Sequence, residues 1–358
     1  MARQAPNAII APSAMPLISR PALLQAHLSQ SPPTRPSNRS PSEIRPINLN
    51  VGSLTHCNGS SLVRLGESTV VCGIRAELLP VTEIAHYRSS ETARATQDQA
   101  EDETYEAVRL NNLLVPNLEL STNCHPSFPP NVAPTITAQS ISQRALSLLH
   151  SSRLVRISDL EVRYTSDLTT ADLDPDDPAY IEPEQDVLKA YWTLYIDCVA
   201  LSYGGEANLF DTTVLAIVAA LKDVRLPQAR WDEDSKMIFC NTDFAHSKRL
   251  QLVGIPCPLS FGVFEADPRI RFGDAKEVNG NPPKHPSTTV LLDLDSFEDD
   301  VCSEKGNVVV DCSGGTTRIL RLEKSGGTGG LSPEYMKSIV RSAEQRWSKW
   351  RTIIDGAG

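Results

Sequence analysis

Apolar residues alternate with a period of two through residues 191–201. Trp192, Leu194, Ile196, Cys198 and Ala200 interleave with Tyr191, Thr193, Tyr195, Val199 and Leu201, which predicts a strand covered on both faces inside a layered domain. Gly204 and Gly205 then allow the chain to reverse, and Val214, Ile217, Val218 and Leu221 recur at helical spacing. Asp211 is the expected acceptor for the first free amides of that helix, and Leu226 and Pro227 mark its end. A glycine turn feeding a helix N-terminus points amide N–H groups and the positive end of the helix dipole at one place, where phosphate binds well.

Upstream, Ile47, Leu49 and Val51 alternate, Asn58-Gly59 offers a hairpin turn, and Leu62, Val63 and Leu65 followed by 69–78 predict two further strands. The string GSSLVRLG at 59–66 lacks the Gly-Lys-Ser/Thr ending of a phosphate loop and leads into a strand, so it is a hairpin element. Residues 134–149 predict a helix with Ile141, Ala145, Leu148 and Leu149 on its apolar stripe and Arg144 and His150 beside it. Downstream, strands are expected at 237–241, 249–253, 259–264, 289–294, 308–311 and 319–322. The chain ends in a helix capped by Ser332 with Pro333 in its first turn. Met336, Ile339, Val340, Ala343, Trp347 and Trp350 share one face there, for core or partner contact.

Polar segments separate these elements. Residues 91–106 are an acidic, solvated loop, 166–186 are an inserted acidic loop with eight carboxylates and no calcium-loop spacing, and 266–286 are a Pro/Gly-rich insertion. The acids Asp293, Asp295, Glu298, Asp299 and Asp300 form what is expected to be a solvated strand end, with a magnesium ion the alternative. Residues 1–46 hold nine of the 26 prolines, five arginines and one acid, Glu43. They predict a flexible extension over 1–42 ahead of one domain at 43–354, with a short docked helix at 21–30 carried by Leu23, Leu24 and Leu28. Such a start also fits a mitochondrial transit peptide, but its prolines interrupt an amphipathic helix.

Charge and cysteine usage narrow the function classes. A net charge of −10 opposes non-specific attraction to nucleic acid, so contact with RNA needs a local patch or basic partners. No apolar run approaches the roughly 20 residues that span a bilayer, and a soluble intracellular protein with no membrane role is expected. Eight cysteines without a C-x-x-C pair read as free thiols in a reducing compartment rather than disulfides or zinc ligands, and no metal or cofactor is expected.

Four strings together resemble the RNase PH family over about residues 43–354. They are NGSSLVRLGESTVVCGIRAE at 58–77, YWTLYIDCVALSYGGEANLFDTTVLAIVAALKDVRLP at 191–227, LLDLDSFEDD at 291–300, and the segment from KSGGTGGLSPEYMK onward near the end. Within the family, VPNLEL at 115–120 and IPCPLSFGVF at 255–264 resemble the non-catalytic ring subunits of the eukaryotic RNA exosome. The resemblance implies an α+β fold of the ribosomal protein S5 domain 2-like type, with mixed sheets packed with helices, and a hexameric ring around an RNA channel. It implies as partners other RNase PH-like ring subunits, a cap protein and RNA, and as location the nucleus and nucleolus, also the cytoplasm.

Active family members let inorganic phosphate attack the terminal linkage of RNA, and their central turn reads Asp-Gly-Gly-Thr-Arg. Matched through Ala220 and Leu221, the Thr-Arg places hold Leu209 and Phe210; matched through the glycines, they hold Glu206 and Ala207. Neither register offers a cation for phosphate. The family's carboxylate pair, six residues apart, falls on Asp299 and Lys305, or in the adjacent register on Asp300 and Gly306. The paired arginines before the earlier helix are missing at Ile136 and Thr137. No catalytic residue is therefore expected, and the resemblance leaves Arg144 and His150 as candidate RNA contacts. The alternative is a phosphorolytic 3′–5′ exoribonuclease whose site is completed by a neighbouring subunit.

Overall fold

The structure, a computed structural model, describes residues 19–84, 105, 107–126, 128, 135–164, 187–241, 243–267, 288–327 and 332–357. The acidic insertion, most of the Pro/Gly-rich insertion and most of the 91–106 loop lie outside the described residues. In chain order the elements are α1 (Arg20–Leu28), β1 (Ile47–Val51), β2 (Gly59–Leu65), β3 (Ser68–Pro80), β4 (Leu114–Leu120), α2 (Ile136–Ser152), α3 (Ile157–Leu160), β5 (Glu161–Tyr164) and β6 (Val187–Ser202). Then follow α4 (Glu206–Asp223), β7 (Arg225–Leu226), β8 (Ala229–Asp232), β9 (Met237–Cys240), β10 (Lys248–Arg249), β11 (Cys257–Glu265), β12 (Thr288–Leu292), α5 (Ser296–Val301), β13 (Glu304–Asp311), β14 (Arg318–Gly326) and α6 (Pro333–Gly356). Among the described residues no helix is long and apolar enough to cross a membrane.

Helix α4 lies between two sheets. The first runs β1-β2-β3-β6-β4, antiparallel except for the parallel β4–β6 pair, with β5 also on β6; the second is the antiparallel run β12-β11-β13-β14. Every residue of α4 from Asn208 to Leu221 is buried, as a helix apolar all round must be. It packs on β2 and β3 on one side and β11 on the other. Gly59 permits the first approach, since a Cβ there would stand 2.7 Å from the Ala220 carbonyl oxygen. Ser61 Oγ donates to the Ala216 carbonyl at 2.7 Å and fastens the same contact. α2 covers β4 with its expected stripe, and α6 covers β13 and β11 with Ile339, Ala343, Trp347 and Trp350.

Several expectations need correction. The tight turn after β2 is Gly66-Glu67, with Gly66 at φ 59° and Leu65 paired to Ser68. Asn58 instead staples distant chain, donating to the Arg225 carbonyl at 3.2 Å and accepting the Ala76 N–H at 2.8 Å. The central strand is covered on both faces only in its first half. Asp197 and Leu201, on the second face, are exposed among the described residues. Asp211 does not cap α4: Gly205, at φ 98°, is the N-cap, so the helix begins six residues earlier than that role requires. Asp211 is instead fully buried, accepts the Ser260 N–H at 2.9 Å and meets Arg346 at 3.1 Å.

The extension is packed where it is described. α1 seats Leu24 and Leu28 against Phe264, Leu291, Leu294 and Cys302. Arg35 is completely buried and donates to Glu298 Oε2 at 3.0 Å and to the Leu292 and Pro41 carbonyls, each at 2.6 Å. Arg45 clamps Asp293 in bidentate fashion at 2.7 and 2.9 Å. The acids at the end of β12 are thus mostly an interior network: Asp293, Glu298 and Asp299 are buried, and only Asp300 of the five is exposed. The arginines of the extension are what permits that burial, because a buried carboxylate requires charge and hydrogen-bond partners.

Candidate functional site

The corner between β6 and α4 has the backbone of an anion site and a carboxylate already inside it. Gly204 N–H donates to Ser68 Oγ at 3.0 Å, and Glu206 N–H, at the helix start, donates to Asp299 Oδ2 at 3.0 Å. Lys305 Nζ stands 3.0 Å from Asp299 Oδ1. Asp299 is delivered by α5, whose first turn is fixed by a capping box between Asp295 and Glu298. Gly205 lets the two elements meet, since a Cβ there would lie 3.2 Å from Ser296 Cα. An internal anion, with Lys305 beside it, therefore sits at the positive end of α4.

Leu209 and Phe210 are fully buried and present no polar group. Over Phe210 lies Arg144, its Cζ 4.0 Å from the ring centroid. The guanidinium is already engaged: Nε donates to Glu323 Oε2 at 2.9 Å, and Nη1 is 3.9 Å from Glu206 Oε1. Burial would raise the Glu323 carboxyl, but hydrogen bonds from Arg321 and Asn307 and the charges of Arg144 and Arg321 hold it below the usual range. Tyr203, which opens the turn, has its phenol pushed up to about 12 by burial and then by Asp299, Glu206 and Asp300. Those neighbouring carboxylates disfavour the phenolate.

The structure brings Arg144, Glu206, Phe210, Asp299 and Lys305 around the start of α4 and leaves His150 out. His150 lies six residues beyond Arg144 on α2 and faces a separate cleft beside Tyr105, Arg109 and Arg153. Its imidazole is held below its ordinary pKa by burial and then by the charge of Arg109. Among the described residues, no three His, Cys, Asp or Glu side chains are grouped to hold a metal ion.

Residues 43–227 match the model of the 3′ exoribonuclease family, domain 1. The chain belongs to the RNase PH family. This RNase PH chain is 28% identical over 313 residues to Exosome complex component rrp43 of Schizosaccharomyces pombe, a match covering 87% of each chain. It is 26% identical over 204 residues to Exosome complex component Rrp42 of Sulfurisphaera tokodaii, covering 57% of this chain and 56% of the relative. A solved Archaeoglobus fulgidus exosome with RNA bound to the active site superposes with a TM-score of 0.58 at 16% identity, over 93% of this chain and 96% of that one. An archaeal exosome core gives 0.55 at the same identity, over 95% and 100%. These superpositions place the expected RNase PH fold, with its mixed helices and antiparallel sheets, on firm ground.

Two features of this RNase PH corner escape a reading by spacing. The Glu206–Asp299 contact joins residues far apart in the chain, and neither neighbourhood signals the other. The partners of the acidic cluster had one trace in the sequence: Arg35, Arg39 and Arg45 are three of five arginines in a segment with a single acid.

Proposed function

We propose that this chain is a catalytically inactive structural subunit of the RNA exosome ring, supporting 3′-end processing and degradation of RNA by scaffolding and by lining the channel. The observation that carries the inactive reading is Asp299 on the first amide of α4, with Phe210 buried in the arginine place. Phosphorolysis needs inorganic phosphate held by cations next to the terminal linkage. Here a carboxylate takes the helix end, and Lys305 stands where the second carboxylate belongs. The positions Leu209, Phe210 and Lys305 are read as degenerate ones.

The kinship with exosome components supports the ring assignment. The partners under this reading are other RNase PH-like ring subunits, a cap protein and RNA in the channel, and the site of work is nucleus and nucleolus with a share in the cytoplasm. Isolated from extract through a tag on this chain, the complex should contain ring and cap subunits. The chain made alone should self-associate, because ring contacts leave apolar surface uncovered. A monodisperse monomer that recovers no ring subunit would overturn the assignment.

One observation favours a second reading, an exoribonuclease active with a neighbouring subunit. Arg144 places a guanidinium over Phe210, near the missing arginine. Its engagement with Glu323 and Glu206 weighs against it as a phosphate ligand. Release of nucleoside diphosphate that disappears in an R144Q ring would favour this alternative.

A further inference from the structure

The buried apolar residues fall into two clusters, and β11 and β12 lie between them. Phe261 and Leu292 belong to the main core with both sheets, α2, α4 and α6, whereas Phe264 and Leu291 belong to a small one completed by Leu24, Leu294 and Cys302. Leu28 of α1, Phe297 and Val301 of α5, and Ala207 in the first turn of α4 pack around it. Among the described residues, none from α1 joins the main core. The segment from Ser19 to Arg45 lies over α5 as a strap, and its arginines hold the acids of that helix and its cap. Arg20 meets Asp300 at 2.7 Å, Arg35 meets Glu298 at 3.0 Å, and Arg39 meets Asp295 and Glu298 at 3.4 and 3.5 Å. The same short helix sends Asp299 to the Glu206 N–H at the start of α4.

We propose that residues 19–45 and α5 form one cooperative unit that opens locally, with both sheets and the body of α4 intact, and that this opening withdraws Asp299 from the N-terminus of α4. Two features make the unit separable. A satellite apolar cluster has little area to lose, so its elements part without dissolving the main core. Buried ion pairs regain hydration when they separate, so the arginine contacts cost less to open than apolar contacts of the same extent. Asp299 joins the strap to the corner between β6 and α4: with α5 released, the Glu206 amide and Lys305 lose their shared carboxylate together. The inference concerns local motion of this chain and does not depend on the proposed loss of phosphorolysis.

The native cysteines supply the test. Cys302 lies in the small cluster and Cys257 in the main core, and burial pushes both thiols up to about 12, so each reacts when its surroundings open. The full chain is treated with iodoacetamide over a series of urea concentrations, the labelled cysteines are located by peptide mass spectrometry, and hydrogen exchange is followed at the Glu206 and Leu215 amides. Cys302 should label at least tenfold faster than Cys257 and with a weaker urea dependence, because a local opening exposes less surface than unfolding. The Glu206 amide should exchange through the same opening as Cys302, and the Leu215 amide through the larger one that exposes Cys257. L24A should accelerate Cys302 labelling and Glu206 exchange by a common factor of at least ten, and L28A, at the half-buried end of α1, should act in the same direction more weakly. Equal rates and urea slopes for Cys302 and Cys257, or Cys302 labelling indifferent to both substitutions, would overturn the proposal. Faster Cys302 labelling with an unchanged Glu206 amide would overturn the link to Asp299.

Discussion

Asp299 Oδ2 accepts the backbone N–H of Glu206 at 3.0 Å, so a side chain of α5 caps the N-terminus of α4. Capping of this kind stabilises by about 1 kcal/mol. D299A should lower stability by about that amount and expose the helix end next to Lys305. Inorganic phosphate or sulfate should then raise the melting temperature of D299A and leave the parent unchanged. Equal responses of the two proteins would mean that Asp299 does not occupy the anion place.

Restoring one arginine should not restore a phosphate site. Phe210 is fully buried with Arg144 already 4.0 Å from its ring, so F210R would bring a second guanidinium into an interior position beside the first. An uncompensated buried charge costs about 3–5 kcal/mol. Denaturant unfolding should report a loss of that order and no gain of phosphate binding. A stable F210R protein that binds phosphate would show the corner to be more open than its packing indicates.

How much of this corner was legible from the chain follows from which forces act locally. The alternation around Trp192–Ala200 and the helical spacing of Val214–Leu221 are set by burial on a regular backbone, and those elements stand where the periods put them. The start of α4 was misplaced because Asp211 is a good capping residue by type, whereas the glycine geometry at Gly205 decided the boundary. The acids 293–300 looked solvated because their partners, Arg35, Arg39 and Arg45, lie some 250 residues away, and pairing of distant charges has no local period. The absence of a cation at Leu209 and Phe210 was legible, while the carboxylate that fills the vacancy was not.

The clamp between Arg45 and Asp293 makes a statement about pH. Burial raises the Asp293 pKa, but hydrogen bonds and charge from Arg45 outweigh it, and the folded-state value is depressed. A depressed carboxylate contributes stability above its unfolded pKa, roughly 3.9, and loses it as pH falls through the folded value. D293N should therefore be less stable than the parent by a constant margin between pH 7 and about 4, and the margin should shrink below that. A margin that grows on acidification would contradict the clamp.

Asp211 and Arg346 form a second interior pair, at 3.1 Å with both side chains essentially inaccessible. Burial raises the Asp211 pKa and the charge of Arg346 opposes it, so the aspartate depends on its partner. R346A should cost about 3–5 kcal/mol by leaving that carboxylate alone, while R346M combined with D211L should recover much of the loss. Equal destabilisation by the single and double variants would mean that the pair acts through packing alone.

The central claim is that this RNase PH-family chain has kept the fold and lost phosphorolysis. The most direct measurement incubates the ring containing this chain, with every other nuclease in the assembly inactivated, with labelled inorganic phosphate and a single-stranded oligoribonucleotide. The account predicts no labelled nucleoside diphosphate above the level of a ring carrying R144Q in this chain. Label released by the parent ring and abolished by that single substitution would contradict it.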